Sequence, residues 1–184
     1  MTEREKALAG ELYSPADLEL RKLYLRSKKL FGKYNKVNPA NEKKLGRLIK
    51  KMLGSTGEKA VVTPPFYCDY GINISVGENF FSNYNFTVLD VCKVTIGKNC
   101  KIGPNVSIFC ATHPVKAEER YLGVEYGKPI TIGDNCWIGG GSIINPGVNI
   151  GNNVVVGSGS VVTKSFPDNV VIAGNPAKII KHLD

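Results

Sequence analysis

Lys128–Ser165 reads KPITIGDNCWIGGGSIINPGVNIGNNVVVGSGSVVTKS. A branched aliphatic returns at Ile132, Ile138, Ile144, Ile150, Val156 and Val162, one every six residues, and Cys136, Ser142, Val148, Val154 and Ser160 stand four places after them. An α-helix would spread this set around its circumference, and a flat strand would bury alternate residues. A coil of short strands joined by corners returns one residue type to the inside at every sixth place. Three such units close one triangular turn. The aliphatic of each unit then points into the prism and the following Gly-Asp-Asn or Gly-Asn-Asn takes the corner, where positive φ suits Gly and then Asn. A hexapeptide period is a signature of the parallel β-helix.

The same pattern extends upstream through Ile96-Gly97, Ile102-Gly103 and Ile108. Before it, Ile74, Val76-Gly77, Phe80-Phe81, Phe86 and Val88 form less regular units, wide enough for aromatic side chains. Between Ile108 and Ile132 the period fails over about 109–129, a charged stretch read as a loop thrown out from the coil. Long irregular loops in repeat scaffolds carry function. Downstream, 168–173 predicts one more strand, and Asn175-Pro176-Ala177-Lys178 leads into a basic tail.

The first 57 residues are different in kind. A short helix is expected over 3–13. Ser14-Pro15-Ala16-Asp17 reads as a start signal, with Ser14 as N-cap, Pro15 at the first helical position and Asp17 reaching back. That helix runs to about Tyr34, Asn38-Pro39 breaks it, and a third spans about 40–53. The division is therefore a helical cap, 1–57, and a β-helix, 58–184, on whose first coils the cap lays its apolar face.

Residues 1–51 hold 14 Lys/Arg and 6 Asp/Glu and so carry the whole formal charge of +8; the remainder hold 10 of each. A basic helical face without interleaved aromatics or a recognisable motif argues against nucleic acid. No apolar run approaches the ~20 residues that span a bilayer, and MTEREKALAG is too charged for a signal peptide, which predicts a cytoplasmic protein. Five cysteines without CxxC spacing, two of them (Cys100, Cys136) in the small inward slot, read as buried free thiols.

Two histidines are present, and His113 lies in the extruded loop as Thr112-His113-Pro114. Those residues, with the [Ile/Val]-Gly coils, Trp137-Ile138-Gly139-Gly140, Ile144-Asn145-Pro146-Gly147-Val148, Val161-Val162-Thr163-Lys164, Gly174-Asn175-Pro176-Ala177-Lys178, Asp69-Tyr70-Gly71 and Glu11-Leu12-Tyr13 with Asp17, resemble the hexapeptide-repeat sugar O-acetyltransferases of the maltose and galactoside group. The similarity covers essentially the whole chain and comes nearest to the maltose enzymes.

The resemblance implies a left-handed parallel β-helix, a homotrimer with active sites between subunits, and direct acetyl transfer from acetyl-CoA to a maltose- or glucose-type hydroxyl, with no metal. It makes His113 the general base. Imidazole suits that work because its pKa lies near neutrality. Glu125 is the candidate to hold the ring, and Asn83 is the donor to the charge that develops in the transition state. Asp17, Arg26 and Asp69 match acceptor-binding positions. Asn83, Trp137, Gly140, Ser158, Thr163, Lys164, Lys178 and Lys181 match cofactor-binding ones. Val91 stands where galactoside enzymes carry a second Asp, which changes which hydroxyls are read.

Other readings compete. The same chemistry could serve a galactoside, an amino sugar, a lipo-oligosaccharide or a xenobiotic such as chloramphenicol. A zinc carbonic anhydrase on the same prism needs three histidines, and His113 with the near-terminal His182 makes two. A scaffold without turnover would have no use for His113, Asn83, Trp137 and Lys164 together.

Overall fold

A computed structural model describes residues 1–184. The chain is mainly β, a parallel solenoid of about six turns behind a helical cap. Each turn visits three faces in fixed order. The first face stacks Ser55–Thr56, Ile74–Val76, Val94–Ile96, Ile130–Ile132 and Asn149–Ile150. The second stacks Val61–Val62, Phe81–Ser82, Lys101–Ile102, Trp137–Ile138, Val155–Val156 and Val170–Gly174. The third stacks Phe66–Cys68, Phe86–Leu89, Ser107–Phe109, Ile143–Ile144 and Val161–Val162.

Parallel pairing in register turns the hexapeptide period into columns of buried side chains. Val76, Ile96, Ile132 and Ile150 stack on the first face, Ile102, Ile138, Val156 and Ile172 on the second, and Val88, Ile108, Ile144 and Val162 on the third. All of them are buried, as are Cys136, Ser142, Val148, Val154 and Ser160. The early turns are wider and hold aromatics, with the Phe66 and Phe86 rings 5.7 Å apart. All five cysteines are free and buried.

The corners use Gly and Asn for positive φ as expected, though not at the Gly that opens the corner. Positive φ falls on asparagine at Asn79, Asn85, Asn99, Asn105, Asn135, Asn153 and Asn169 and on glycine at Gly141, Gly147 and Gly159, but not on the Gly that opens the corners at 97, 133 and 151. Those glycines answer a different constraint. A Cβ on Gly97 would sit 2.7 Å from the Gly133 carbonyl carbon, and one on Gly133 would meet Gly151 at 2.7 Å. Stacked coils approach too closely there for any side chain. The corner asparagines also bond to one another, Asn79 to Asn99 at 3.0 Å, Asn99 to Asn135 at 2.9 Å and Asn153 to Asn169 at 2.8 Å.

The cap comprises α1 (Glu3–Ala9), α2 (Leu18–Tyr34) and α3 (Glu42–Met52). The first helix is shorter than expected because Gly10 leaves it with φ 79°. The second starts later, since Asp17 and not Ser14 is its N-cap, its Oδ1 accepting from the Glu19 and Leu20 amides. Proline at 15 therefore lies outside the helix. Leu45, Ile49 and Met52 of α3 are buried against the first turns, and the Tyr34 phenol donates to the Val62 carbonyl. The expected basic tail is ordered as a strand, Ala177–His182, antiparallel to Val170–Gly174.

Where the coil steps by 16, 18 or 20 residues elsewhere, the turn containing the extruded loop steps by 36. The loop leaves and returns through an antiparallel pair, Ala111–Thr112 with Tyr126–Gly127, and carries a short helix α4 (Ala117–Arg120). The wall resumes in register, Ile132 on Ile96.

Asn99 combines a left-handed backbone, φ 58°, with ladder bonds on both sides. Asn99→Gly should cost about 1 kcal/mol by losing the bonds alone, and Asn99→Ala about 2–3 kcal/mol by adding the left-handed penalty of a Cβ. Chemical denaturation measures the two, and equal losses would contradict the division of labour at the corners.

Candidate active site

The extruded loop is pinned close to where it leaves the wall. Pro114 is buried, and the Arg120 guanidinium donates to the Pro114 and Val115 carbonyls at 3.0 and 2.9 Å, which holds the segment that carries His113. The His113 side chain itself stays 57% exposed, and Glu125 Oε2 lies 3.9 Å from its Nε2. Glu125 sits on the returning arm, where its backbone pairs with Tyr13 from the cap: Tyr13 N–H to Glu125 O at 3.0 Å and Glu125 N–H to Tyr13 O at 3.1 Å. The Tyr13 phenol donates to Glu125 Oε1. At the loop base the packing is tight, because a Cβ on Gly127 would meet Cys92 Sγ at 2.5 Å.

Beside this pair lies a pocket of about 260 Å³ lined by Pro15, Arg21, Tyr24, Asp69, Tyr70, Val91 and Glu125. It is polar. Burial pushes the Asp69 carboxyl up to about 6, and the nearby Glu125 charge pushes the same way against Lys28. Beneath it Asp90, fully buried, is pushed up by burial to about 7 although it accepts from the Tyr70 and Asn73 amides at 2.9 and 3.2 Å. An apolar pocket of similar size, about 250 Å³, lies between α3 and 60–64 and contains none of the candidate residues.

The candidates from sequence separate into groups. His113, Glu125 and Asp69 meet at the corner between the third and first faces. Thr163 and Lys164 follow the last third-face strand at that same edge, both exposed, with Lys164 Nζ 5.7 Å from the Phe166 ring. Asn83 belongs to the opposite corner, between the second and third faces, so the width of the third face, roughly 15–20 Å at ~3.3 Å per residue, separates it from His113. Its Oδ1 accepts the Tyr84 amide at 2.8 Å, which leaves Nδ2 as the donor. Gly140 and Ser158 stack at that corner, where Gly159 N–H reaches Gly140 O at 2.9 Å and a Cβ on the adjoining Gly139 would lie 2.6 Å from Ser158 N.

Trp137, 57% exposed, stands on the second face between Lys101 and Val155. Lys178 and Lys181 are exposed on the C-terminal strand of that face, opposite Ala173 and Val171. Asp17 caps α2 and lies near the pocket in sequence, since Pro15 is in the lining. Arg26 is not in the pocket lining. It donates to the Lys51 carbonyl at 2.6 Å and flanks a groove with Lys22, Lys29 and Lys51, and its Nη1 is buried without a partner.

Tyr13, Arg21, Tyr24, Tyr70 and Asp90 were not among the sequence candidates. Alternation and period carry no signal for them, because each reaches the site from a cap helix, a turn or a corner and not from the repeat.

Folded Asp69 holds its proton from 3.8, the ordinary value, up to about 6, so across that window the native state binds more protons than the unfolded one. Stability contributed by this residue therefore falls as pH rises through the window and stays low above it. For Asp69→Asn, the gain in melting temperature over the native protein should grow between pH 4 and 7 and then level. A pH-independent difference would contradict the burial of this carboxyl.

A model of the maltose acetyltransferase hexapeptide capping motif matches residues 6–57, and one described as the hexapeptide repeat of succinyl-transferase matches 129–164. The chain is 46% identical over 184 residues to the galactoside O-acetyltransferase of Escherichia coli K12, covering 100% of this chain and 90% of that one. Among solved structures it resembles a maltose O-acetyltransferase from Clostridium difficile 630, with TM-score 0.99, 48% identity and coverage of 100% and 98%. It also resembles a galactoside acetyltransferase in complex with coenzyme A, with TM-score 0.97, 45% identity and coverage of 100% and 92%. The cap, the coil and the loop that carries His113 are thus shared along their whole length, and the chain belongs to the hexapeptide-repeat acetyltransferases of the maltose and galactoside O-acetyltransferase group.

Proposed function

We propose that the chain transfers the acetyl group of acetyl-CoA to a hydroxyl of a maltose- or glucose-type sugar by direct attack, with His113 as general base. The observation that carries this reading is the His113–Glu125 pair beside a polar pocket that Asp69 and Tyr70 line. A sugar hydroxyl is a poor nucleophile at neutral pH, and an imidazole that takes its proton removes that barrier. Glu125 faces one ring nitrogen, fixes its proton there, and leaves the other nitrogen free to accept. Asp69, with Asp17 close by in the cap, orients the acceptor through its hydroxyls.

Acetyl-CoA supplies a thioester carbonyl whose oxygen gains negative charge as the hydroxyl adds. The Asn83 amide, with Nδ2 free, is the donor to that charge. The side-chain-free strip at Gly139 and Gly140, with Ser158 stacked on it and Trp137 exposed beside it, suits a long, thin ligand along the wall. Thr163 and Lys164, at the His113 edge of a neighbouring copy, hold its middle, and Lys178 and Lys181 neutralise its phosphates as point charges, without the bidentate fork that arginine would give.

Because Asn83 and His113 occupy opposite corners of one prism, this reading needs a second copy of the chain. We propose a left-handed homotrimer acting in the cytoplasm, in which the loop of one subunit reaches the Asn83 corner of the next. Val115, Tyr121 and Leu122, 90%, 88% and 75% exposed on the loop, provide the apolar surface for that contact.

Thiol release from acetyl-CoA against maltose, glucose, galactosides, glucosamine and chloramphenicol tests the reaction and the acceptor. His113→Ala should lower kcat by ~10²–10⁴ with KM for acetyl-CoA near native. Full activity in that variant would remove His113 as the base, and turnover with chloramphenicol alone would replace the sugar. Light scattering should give a mass near three times 20.0 kDa, and a monomer mass with native activity would contradict the shared site.

A further inference from the structure

The cap and the catalytic loop meet through one side chain that this mechanism has not used. Tyr13 is 1% exposed, and a buried phenol needs a hydrogen-bond partner. Tyr34, equally buried, finds a backbone carbonyl, whereas Tyr13 donates to the one carboxylate that faces His113. We infer that Tyr13 is a positioning residue for the general base: its phenol fixes the Glu125 carboxylate and, through it, the His113 ring. The inference rests on the reading of His113 as the base.

The geometry leaves Glu125 little freedom. Its backbone is held on both sides by Tyr13, at 3.0 and 3.1 Å, and the phenol occupies Oε1. Oε2 is then the oxygen turned to His113 Nε2, 3.9 Å away. Without the phenol the carboxylate would sample its other rotamers, and a base displaced by about 1 Å can lose on the order of 10² in rate. Burial first, and then the Glu125 contact, drive the phenol's ionisation far above its ordinary value, so it remains a donor at any working pH. Tyr13 also lies two residues before Pro15, which lines the pocket, so one short segment of the cap seats the acceptor and steadies the base.

Steady-state kinetics of Tyr13→Phe, Glu125→Ala and the double variant, with His113→Ala alongside, tests this. Tyr13→Phe should lower kcat about tenfold, the size expected for losing one hydrogen bond to a charged group, with KM for acetyl-CoA unchanged. In the Glu125→Ala background, where nothing remains to be held, the same change should alter kcat by less than ~2-fold. An equal tenfold loss in both backgrounds would mean that Tyr13 acts through the fold and would overturn the inference. Native kcat in Tyr13→Phe beside a dead His113→Ala would also overturn it while sparing the base. Native activity in His113→Ala would remove the base reading itself, and the inference with it.

Discussion

The structure depends on the spacing between successive coils. Parallel strands hydrogen-bond at ~4.8 Å, so each residue lies directly above its counterpart one turn earlier. Wherever the backbone also turns, the neighbouring coil occupies the space a side chain would need. That is why the residues opening the corners at 97, 133 and 151 are glycines, and why the next sharp turn falls on an asparagine that can take positive φ and bond to the asparagine above. Burial of the aliphatic columns supplies the driving force. The corner residues decide that only this coil can collect it.

The same constraint makes room for function. A stacked coil accepts an insertion only if the wall resumes in register, and the loop turn does so, with Ile130, Thr131 and Ile132 returning over Val94, Thr95 and Ile96. The inserted arm therefore begins and ends at one corner, and whatever it carries is held at that edge of the prism. His113 and Glu125 stand on its two arms near the base, where the antiparallel pair and the Tyr13 segment stiffen it, and the tip projects. The cap adds the far wall of the pocket. The proposed chemistry thus sits where cap, loop and wall meet, while the repeat supplies a straight wall with glycine-lined corners.

The repeat was legible because its physics is local: an inward position recurs every sixth residue whether or not anything else is known. The loop was legible as the place where that recurrence fails. Helix boundaries in the cap were less so, since Ser14-Pro15 and Asp17 are both sound start signals and only packing chose Asp17. The final strand was missed because Ala177–His182 pairs antiparallel on a face whose other pairs are parallel and carries no hexapeptide mark. Tyr13 and Glu125 are 112 residues apart, and no spacing rule connects them. Residue roles at His113 and Asn83 came from resemblance to a family. What the resemblance left to the coordinates was that one chain holds these two residues at opposite corners.

That separation is the central claim, and complementation between inactive chains tests it most directly. His113→Ala and Asn83→Ala chains, each inactive alone, would be unfolded together and refolded as a mixture. If each site takes His113 from one subunit and Asn83 from its neighbour, random trimers at equal ratio contain both native residues in roughly a quarter of their sites, and acetyl transfer returns to about that fraction of the native rate. A mixture that reassembles and stays as inactive as its parents would contradict a site shared between subunits.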